Sequence, residues 1–314
     1  MATSKATVAV LSIGQMGLGI AKLLSAHSFR VITNVSDRST ATQQRAASIG
    51  IEQFSSDNEL VAAADYILSI VPPADAPATA SRVIAALAHG ARRDRTEDLW
   101  FLDLNAGSPA GVARLCSRFQ AEAPRVRFVD GGIIGGPPSL ANGTWSRPDI
   151  PLSGPDALAD APLDGARLAQ VLNTRYLGPK IGSASGLKAC FAALSKGFTA
   201  LALQSYTTAS QLDVLPDLKH YLDIYNPQAR EKADKSIVAC TTKAYRWVEE
   251  MHQIGDTFAE QGGFGEQARV FREIAGVYEG LASLVERQGT EGLENADGVV
   301  EKLGGHVRQR RGSI

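Results

Sequence analysis

The chain has 314 residues, room for about two domains at roughly 150 residues each. Hydrophobic residues make up 44% and charged residues 21%, with 32 basic against 33 acidic side chains and a net charge of -1, the composition of an ordinary soluble protein. That balance argues against a nucleic-acid binder, which would carry a basic excess or a basic face. The basic clusters Arg92, Arg93, Arg95 and Arg308, Arg310, Arg311 are short and read as solvated surface or loose tail. No uninterrupted apolar run approaches the roughly 18 residues that span a bilayer, and the N-terminus passes straight into VAVLSIG without a cleavage-type segment. A cytoplasmic location with no membrane partner is expected. Cys116, Cys190 and Cys240 are odd in number and far apart, fitting neither a disulfide framework nor a C-x-x-C site, and read as buried reduced thiols. The five histidines are equally scattered, with no H-E-x-x-H pair, so no metal site is expected.

The first half reads as strands alternating with helices. TVAVLSI (7–13) is a β-branched apolar run ending in a glycine cluster, followed by the helix-like GLGIAKLLSAH. RVITN (30–34) precedes a polar helical stretch to Ser48; YILSIV (66–71) stops at Pro72 and Pro73; LWFLDL (99–104) leads into SPAGVARLCSRF; VRFVDGGII (126–134) closes the series. Parallel neighbours need crossover connections, so this alternation predicts an α/β, doubly wound, mainly parallel sheet. From about Gly182 the pattern turns to long helical stretches: 186–212, rich in small and apolar residues, then 231–261 and 266–289. Two domains follow, an α/β domain over 1–180 and an all-helical one over 181–314.

Between the first strand and first helix runs Ser12-Ile13-Gly14-Gln15-Met16-Gly17, a G-x-G-x-x-G fingerprint whose first glycine is serine. Such a turn docks a dinucleotide pyrophosphate, because bare backbone N–H groups and the positive helix end face the anion. The Walker spacing fails, since Gly19 is followed by Ile20. About 20 residues on, an acidic residue would accept from the adenosine ribose and repel a 2′-phosphate. Asn34 stands there instead, followed by Ser36, Asp37, Arg38, Ser39 and Thr40. Arg38 can pair with a phosphate and the hydroxyls can donate to it, which favours NADP over NAD; Asp37, if aimed at the ribose, would favour NAD.

The order of motifs resembles the β-hydroxyacid dehydrogenase and 6-phosphogluconate dehydrogenase-like superfamily, which includes imine reductases. The resemblance rests on IGQMG at the phosphate turn, SIVPP (69–73), DLNAGSP (103–109), DGGIIGGPP (130–138), IGSASGLKACFAALSKG (181–197) and AYRWVEEMHQIGDTFAEQG (244–262). It implies a doubly wound Rossmann domain followed by an all-helical C-terminal domain. It also implies that Val71, Pro72 and Pro73 line the nicotinamide side of a cleft, with Asn105 and Ser108 near the nicotinamide ribose and substrate. Gly131, Gly132, Ile133 and Ile134 stand in the substrate-binding glycine loop, whose N–H groups can hold a carboxylate. Lys188 matches the lysine of the G-x-G-x-x-x-K signature, read here as Gly182 to Lys188 with Ala184 for the second glycine.

A lysine lodged beside a substrate hydroxyl and the cofactor can donate a proton to a forming alkoxide, and partial burial brings its pKa into range. The family's asparagine one turn later is Ala192, leaving Lys196 or a C-terminal residue such as His252 or Glu250 to substitute. Reversible reduction of a carbonyl by NADP(H), on a hydroxy or keto acid, is the leading expectation. Imine reduction is the alternative, and a cofactor-binding protein without turnover a third. Neither AGSPAG nor IGSASG carries a serine in nucleophile-elbow register, which sets a serine hydrolase aside. The helix after Lys188, through Ala189, Ala192, Ala193, Ala200 and Leu203, is expected to form a homodimer interface.

Overall fold

The computed structural model describes residues 6–91, 96–105 and 107–311. Arg92, Arg93, Arg95 and Ala106 lie outside them, as do the side chains of Arg310 and Arg311. The described chain separates into two compact units, Met1–Lys188 and Ala189–Ile314.

The first unit runs β1 (Thr7–Leu11), α1 (Gln15–Ala26), β2 (Arg30–Thr33), α2 (Thr40–Ser48), β3 (Glu52–Gln53), α3 (Asp57–Ala63), β4 (Tyr66–Ser69), α4 (Ala76–Ala88), β5 (Leu99–Asp103), α5 (Pro109–Glu122) and β6 (Val126–Gly131). A hairpin, β7 (Ser139–Ala141) and β8 (Thr144–Ser146), follows, then β9 (Ile150–Ser153), α6 (Gly165–Val171), β10 (Thr174–Tyr176) and the start of α7 (Ser183–Gln211). Apart from the β7-β8 hairpin, which pairs with itself, the strands form one sheet in the order β10-β9-β6-β5-β4-β1-β2-β3. The six strands from β3 to β6 are mutually parallel, and β9 joins β6 antiparallel.

The central strands β1, β4 and β5 are buried at every position, as expected where helices cover both faces of a parallel sheet. Two apolar layers lie on its two faces. Val8, Val10, Ile20, Leu23, Leu24 and Leu68 belong to one, and Ala9, Leu11, Ile67, Phe101, Phe119 and Phe128 to the other. The alternation along β1 follows from the period of two in a strand. Phe101 and Phe119 meet at a ring separation of 4.7 Å, within the range where aromatic pairs add about 0.5–1.5 kcal/mol beyond area burial. Ser39, Ser56 and Ser108 cap α2, α3 and α5 by accepting from the N–H three residues on.

The second unit continues α7 and adds α8 (Leu215–Tyr225), α9 (Pro227–Cys240), α10 (Ala244–Glu260), α11 (Val270–Gln288) and α12 (Ala296–Arg311). The single helix expected over 231–261 is two helices, α9 and α10, parted at Thr241–Lys243. The alanine face of α7 also differs from expectation. Ala189, Ala192, Ala193, Ala200 and Leu203 pack into the unit's own core with Tyr206, Ile237, Met251, Tyr278 and Leu281. The residues that α7 leaves in water are larger: Phe191, Leu194 at 77% exposure and Leu201.

By length and composition α7 could cross a membrane, with an 18-residue window of mean hydropathy 1.2; its small apolar face is instead filled by these neighbours. Cys116 and Cys240 are buried thiols, but Cys190 is exposed, correcting the reading of all three as buried.

Candidate cofactor and substrate site

In a sheet ordered 3-2-1-4-5-6, connections leave in opposite directions from β1 and β4, which opens a crevice at their carboxyl ends where ligands bind. The glycine turn stands at that point. Ser12 N–H donates to the Ile70 carbonyl at 3.2 Å, which ties the turn after β1 to the segment after β4. Gly14 opens α1 with no side-chain cap, so the helix's first N–H groups face outward without a protein partner from a side chain. A Cβ on Gly14 would meet nothing within 4 Å. Gly17 is the opposite case, because a Cβ there would lie 1.9 Å from the Ser12 carbonyl oxygen. The room before Gly14, the uncapped helix end and the tight Gly17 contact fit a dinucleotide pyrophosphate.

One residue beside the turn was not anticipated. Arg45, on α2, donates from Nε to the Ile13 carbonyl at 3.0 Å and from its terminal nitrogen to Thr42 Oγ1 at 2.7 Å. Its positive charge lies against the turn. The cue was a lone arginine on a polar helix, which a sequence does not separate from a solvated one.

The end of β2 is more internally bonded than expected. Asn34 is buried, donates to Asp57 Oδ1 at 2.8 Å and accepts from the Ser36 N–H and hydroxyl at 3.1 and 2.8 Å. It therefore shapes the loop rather than reaching outward. Ser39 is likewise engaged, accepting from Thr42 N–H at 3.4 Å. Arg82 grips Asp57 with two nitrogens at 2.7 and 2.8 Å and reaches Asp37 at 3.2 Å. Burial pushes Asp57 upward, but the Arg82 and Asn34 hydrogen bonds and the charges of Arg82 and Arg38 leave its carboxyl below the usual range. Asp37 also lies 3.4 Å from Arg38 Nε, so two arginines share its charge. Arg38 Nε makes no hydrogen bond.

On the other side of the crevice, Asn105 accepts from Val71 N–H at 2.7 Å and donates to Ser69 Oγ at 3.0 Å and to Asp103 Oδ1. This fixes the start of Val71-Pro72-Pro73 against β5. Asp103 is almost wholly buried; burial pushes its carboxyl up to about 6, with Asn105's hydrogen bonds opposing and Asp130's charge adding. Its folded pKa thus lies above the unfolded value of about 3.9. The stability linked to it is present below about pH 4 and is lost as pH rises through 6, by about 3 kcal/mol at about 1.4 kcal/mol per unit. Asp103→Asn is expected to remove that slope, so the stability difference between the two proteins grows in favour of the variant from pH 4 to 7 in denaturant titrations. An unchanged difference would refute the assignment.

The loop after β6 meets the start of α7. Asp130, fully buried, accepts at Oδ2 from Ser153 Oγ at 2.8 Å and from the N–H groups of Gly182, Ala184 and Ser185 at 2.9, 3.1 and 3.2 Å. Its Oδ1 accepts from Ser185 Oγ at 2.5 Å. Sequence reasoning missed this residue: it sits inside the strand run 126–134 with nothing to set it apart, and its partners lie more than 20 residues away.

Lys188 donates from Nζ to the Ile133 carbonyl, and a Cβ on Gly132 would come within 2.9 Å of Lys188 Cβ. The glycine loop and Lys188 are thus brought together. The loop's N–H groups are less open than expected, since Gly132 donates to Pro151 at 3.1 Å and Ile134 to Asp149 at 2.8 Å. These two are committed to pairing with the segment around β9 and are not free to hold a carboxylate. Ser108 serves as the α5 cap, accepting from Gly111 N–H at 3.2 Å, which leaves its own hydroxyl proton to donate.

Lys196 and His252 belong to the second unit. Lys196 is buried against Glu250, with its ammonium 5.4 Å from the Trp247 ring centre. Burial holds its pKa below the usual lysine range, although Glu250's charge and hydrogen bond oppose this. The pair is a neutralised core contact. His252 is half-buried on α10.

Comparison with known proteins agrees with this geometry. Residues 7–147 match the NAD binding domain of 6-phosphogluconate dehydrogenase, and residues 209–281 match a domain family of unknown function. No curated protein matches the chain. Among solved structures, a conserved hypothetical protein from Sinorhizobium meliloti 1021 is 21% identical, with 97% of each chain covered and a TM-score of 0.67. 3-Hydroxyisobutyrate dehydrogenase from Salmonella typhimurium is 16% identical, covering 95% of this chain and 99% of its own, with a TM-score of 0.61. An imine reductase from Myxococcus stipitatus, in complex with NADP+, is 17% identical over 95% and 99%, with a TM-score of 0.53. At such identities these structures speak for the fold. Over residues 7–147 the chain thus carries an NAD-binding domain of the 6-phosphogluconate dehydrogenase type, and the helices that follow it contain the match to the domain family of unknown function.

Proposed function

We propose that the protein is an NADP-dependent oxidoreductase acting between a carbonyl and an alcohol, on a hydroxy or keto acid, with Lys188 as general acid/base. The observation that carries this is the seat of Lys188. Its ammonium is drawn to the Ile133 carbonyl in the loop after β6, and in a parallel sheet that loop shares the carboxyl edge with the glycine turn after β1. Gly14, Gly17 and the open end of α1 would hold the pyrophosphate, and Val71, fixed by Asn105, would border the nicotinamide. Bound there, the nicotinamide supplies or accepts the hydride. Lys188 then gives a proton to the oxygen that gains charge, and takes it back in the reverse direction. Ser108, with a hydroxyl proton still to donate, would orient the same oxygen or a neighbouring carboxylate.

NADP is preferred because the Arg38 side chain is partly exposed after β2 and Asp37 is offset by two arginines. A charge-assisted hydrogen bond to the 2′-phosphate contributes about 1.5–3 kcal/mol, so NADPH should bind about 10- to 100-fold more tightly than NADH. Arg38→Ala should erase most of that preference in fluorescence titrations; equal dissociation constants in the unmutated protein would sink it.

Imine reduction is the competing chemistry, favoured by the structural likeness to an imine reductase. An imine arrives able to carry its own proton and does not need Lys188. NADPH oxidation with ketones alone, against ketones with amines, separates the two. The substrate-bearing form is a cytoplasmic homodimer: Phe191, Leu194 and Leu201 leave an apolar stripe on α7 that a second copy would cover. Light scattering at micromolar concentration should give twice the chain mass, and a monomer would count against it.

A further inference from the structure

We infer that Asp130 is the positioning residue for Lys188, holding both partners of the Lys188–Ile133 hydrogen bond from one buried carboxylate. The meaning of this for catalysis rests on the reading of Lys188 given above; the geometry does not. Asp130 is the last residue but one of β6, three residues before Ile133, so the course of the chain from 130 to 133 sets where the Ile133 carbonyl stands. The same carboxylate collects the N–H groups of Gly182, Ala184 and Ser185, with the Ser185 hydroxyl on its second oxygen. Those groups are the first donors of α7, which no intrahelical carbonyl can satisfy. Ser185 lies three residues before Lys188, less than one helical turn at 3.6 residues per turn. The lysine's Cα is therefore set by the carboxylate's grip on the helix start, and the carbonyl by its place on the strand.

Two features show that the grip is specific. Ser153, from β9, donates to Asp130 Oδ2 at 2.8 Å and accepts from Ala184 N–H at 3.0 Å, so a second side chain holds the carboxylate and the helix in register. These contacts use both carboxylate oxygens, and they place a negative charge at the positive end of a helix dipole, a stabilising arrangement for a buried ion. Gly132 completes the device, because a side chain there would strike the Lys188 stem at Cβ and Cγ.

The test reads Lys188 itself and needs no substrate. Folded protein is treated with acetic anhydride at limiting concentration, and modification rates are read lysine by lysine from peptide masses. In Asp130→Ala, Lys188 should be modified about five times faster or more, while Lys196 stays within about twofold and NADPH affinity is unchanged. Asp130→Asn keeps an acceptor for the helix N–H groups and should return Lys188 to within about twofold of the unmutated rate. A Lys188 rate unmoved in Asp130→Ala, or equal rises at Lys188 and Lys196, would overturn the inference. Should Asp130→Ala not fold, Ser153→Ala carries the comparison, with a rise of about twofold or more expected at Lys188 and an unmoved rate decisive against. Kinetics of Lys188 variants test the catalytic reading separately, so either can fail alone.

Discussion

Lys188→Met is expected to lower turnover by roughly 10²- to 10⁴-fold, the usual contribution of a positioned acid or base, while leaving NADPH affinity nearly unchanged. The separation follows from where the two functions sit. The pyrophosphate turn is built from Gly14, Gly17 and the end of α1, whereas Lys188 is held on Ile133 by the start of α7. Methionine keeps much of the stem that lies against Gly132 and removes only the charged donor, so the fold should survive. Thermal unfolding checks that point, and stopped-flow NADPH oxidation gives the rate. Stable variants that bind NADPH and still reduce a ketone at the original rate would take Lys188 out of the mechanism. They would also remove the main reason to prefer carbonyl over imine chemistry.

The parts of this molecule that a sequence discloses are those written in local periodicity. The cores of β1, β2, β4, β5 and β6 stand inside the apolar runs that announced them, each ending one to three residues earlier than its run. Part of the overshoot has one cause: Ile13 and Leu104 are apolar and buried because loops at the carboxyl edge pack inward. Glu52–Gln53 has no apolar residue and joins the sheet as an edge strand beside β2, so no pattern could have marked it. Ile150–Ser153 is buried throughout but short and interrupted by Pro151; it is a strand only because β6 and β10 flank it.

The helical half shows the limit of composition. Alanines on α7 suggested close contact between copies, but small residues serve equally for close packing inside one core, and there they are used. The helix expected from residue 231 starts earlier, at Pro227, where Asn226 caps it by accepting from Ala229 N–H at 3.2 Å. The break at Thr241–Lys243 carries neither glycine nor proline, and tertiary packing decides it.

The site divides in the same way. The glycine turn was legible because a pyrophosphate turn demands glycines at particular spacings, and Lys188 through the resemblance of residues 182–188 to the G-x-G-x-x-x-K signature. Asp130, Ser153 and Arg45 were not, since their roles are hydrogen bonds to backbone groups 31 to 55 residues distant. A carboxylate that satisfies a helix end leaves no mark in the sequence beyond being an aspartate.

Gly14→Ala and Gly17→Ala are expected to lose NADPH by different routes, and the contrast locates the pyrophosphate. At position 14 the backbone is extended, with φ of -71°, and an added methyl meets no protein atom within 4 Å. Alanine there should leave the thermal midpoint within a degree or two. The methyl would, however, fill the space in which a phosphate must approach the first N–H groups of α1, removing charge-assisted hydrogen bonds that contribute about 1.5–3 kcal/mol each. Loss of one or two such bonds raises the NADPH dissociation constant by roughly 10- to 10⁴-fold. At position 17 the methyl would press to 1.9 Å on the Ser12 carbonyl oxygen, a backbone atom that cannot swing aside as a side chain does. The turn and helix must separate, so Gly17→Ala should lower the unfolding midpoint as well as the affinity. Differential scanning calorimetry and fluorescence titration on both variants read the two effects independently. Full affinity in a stable Gly14→Ala protein would show that the phosphates do not use the space before α1, and the cofactor assignment would then rest on the sheet order alone.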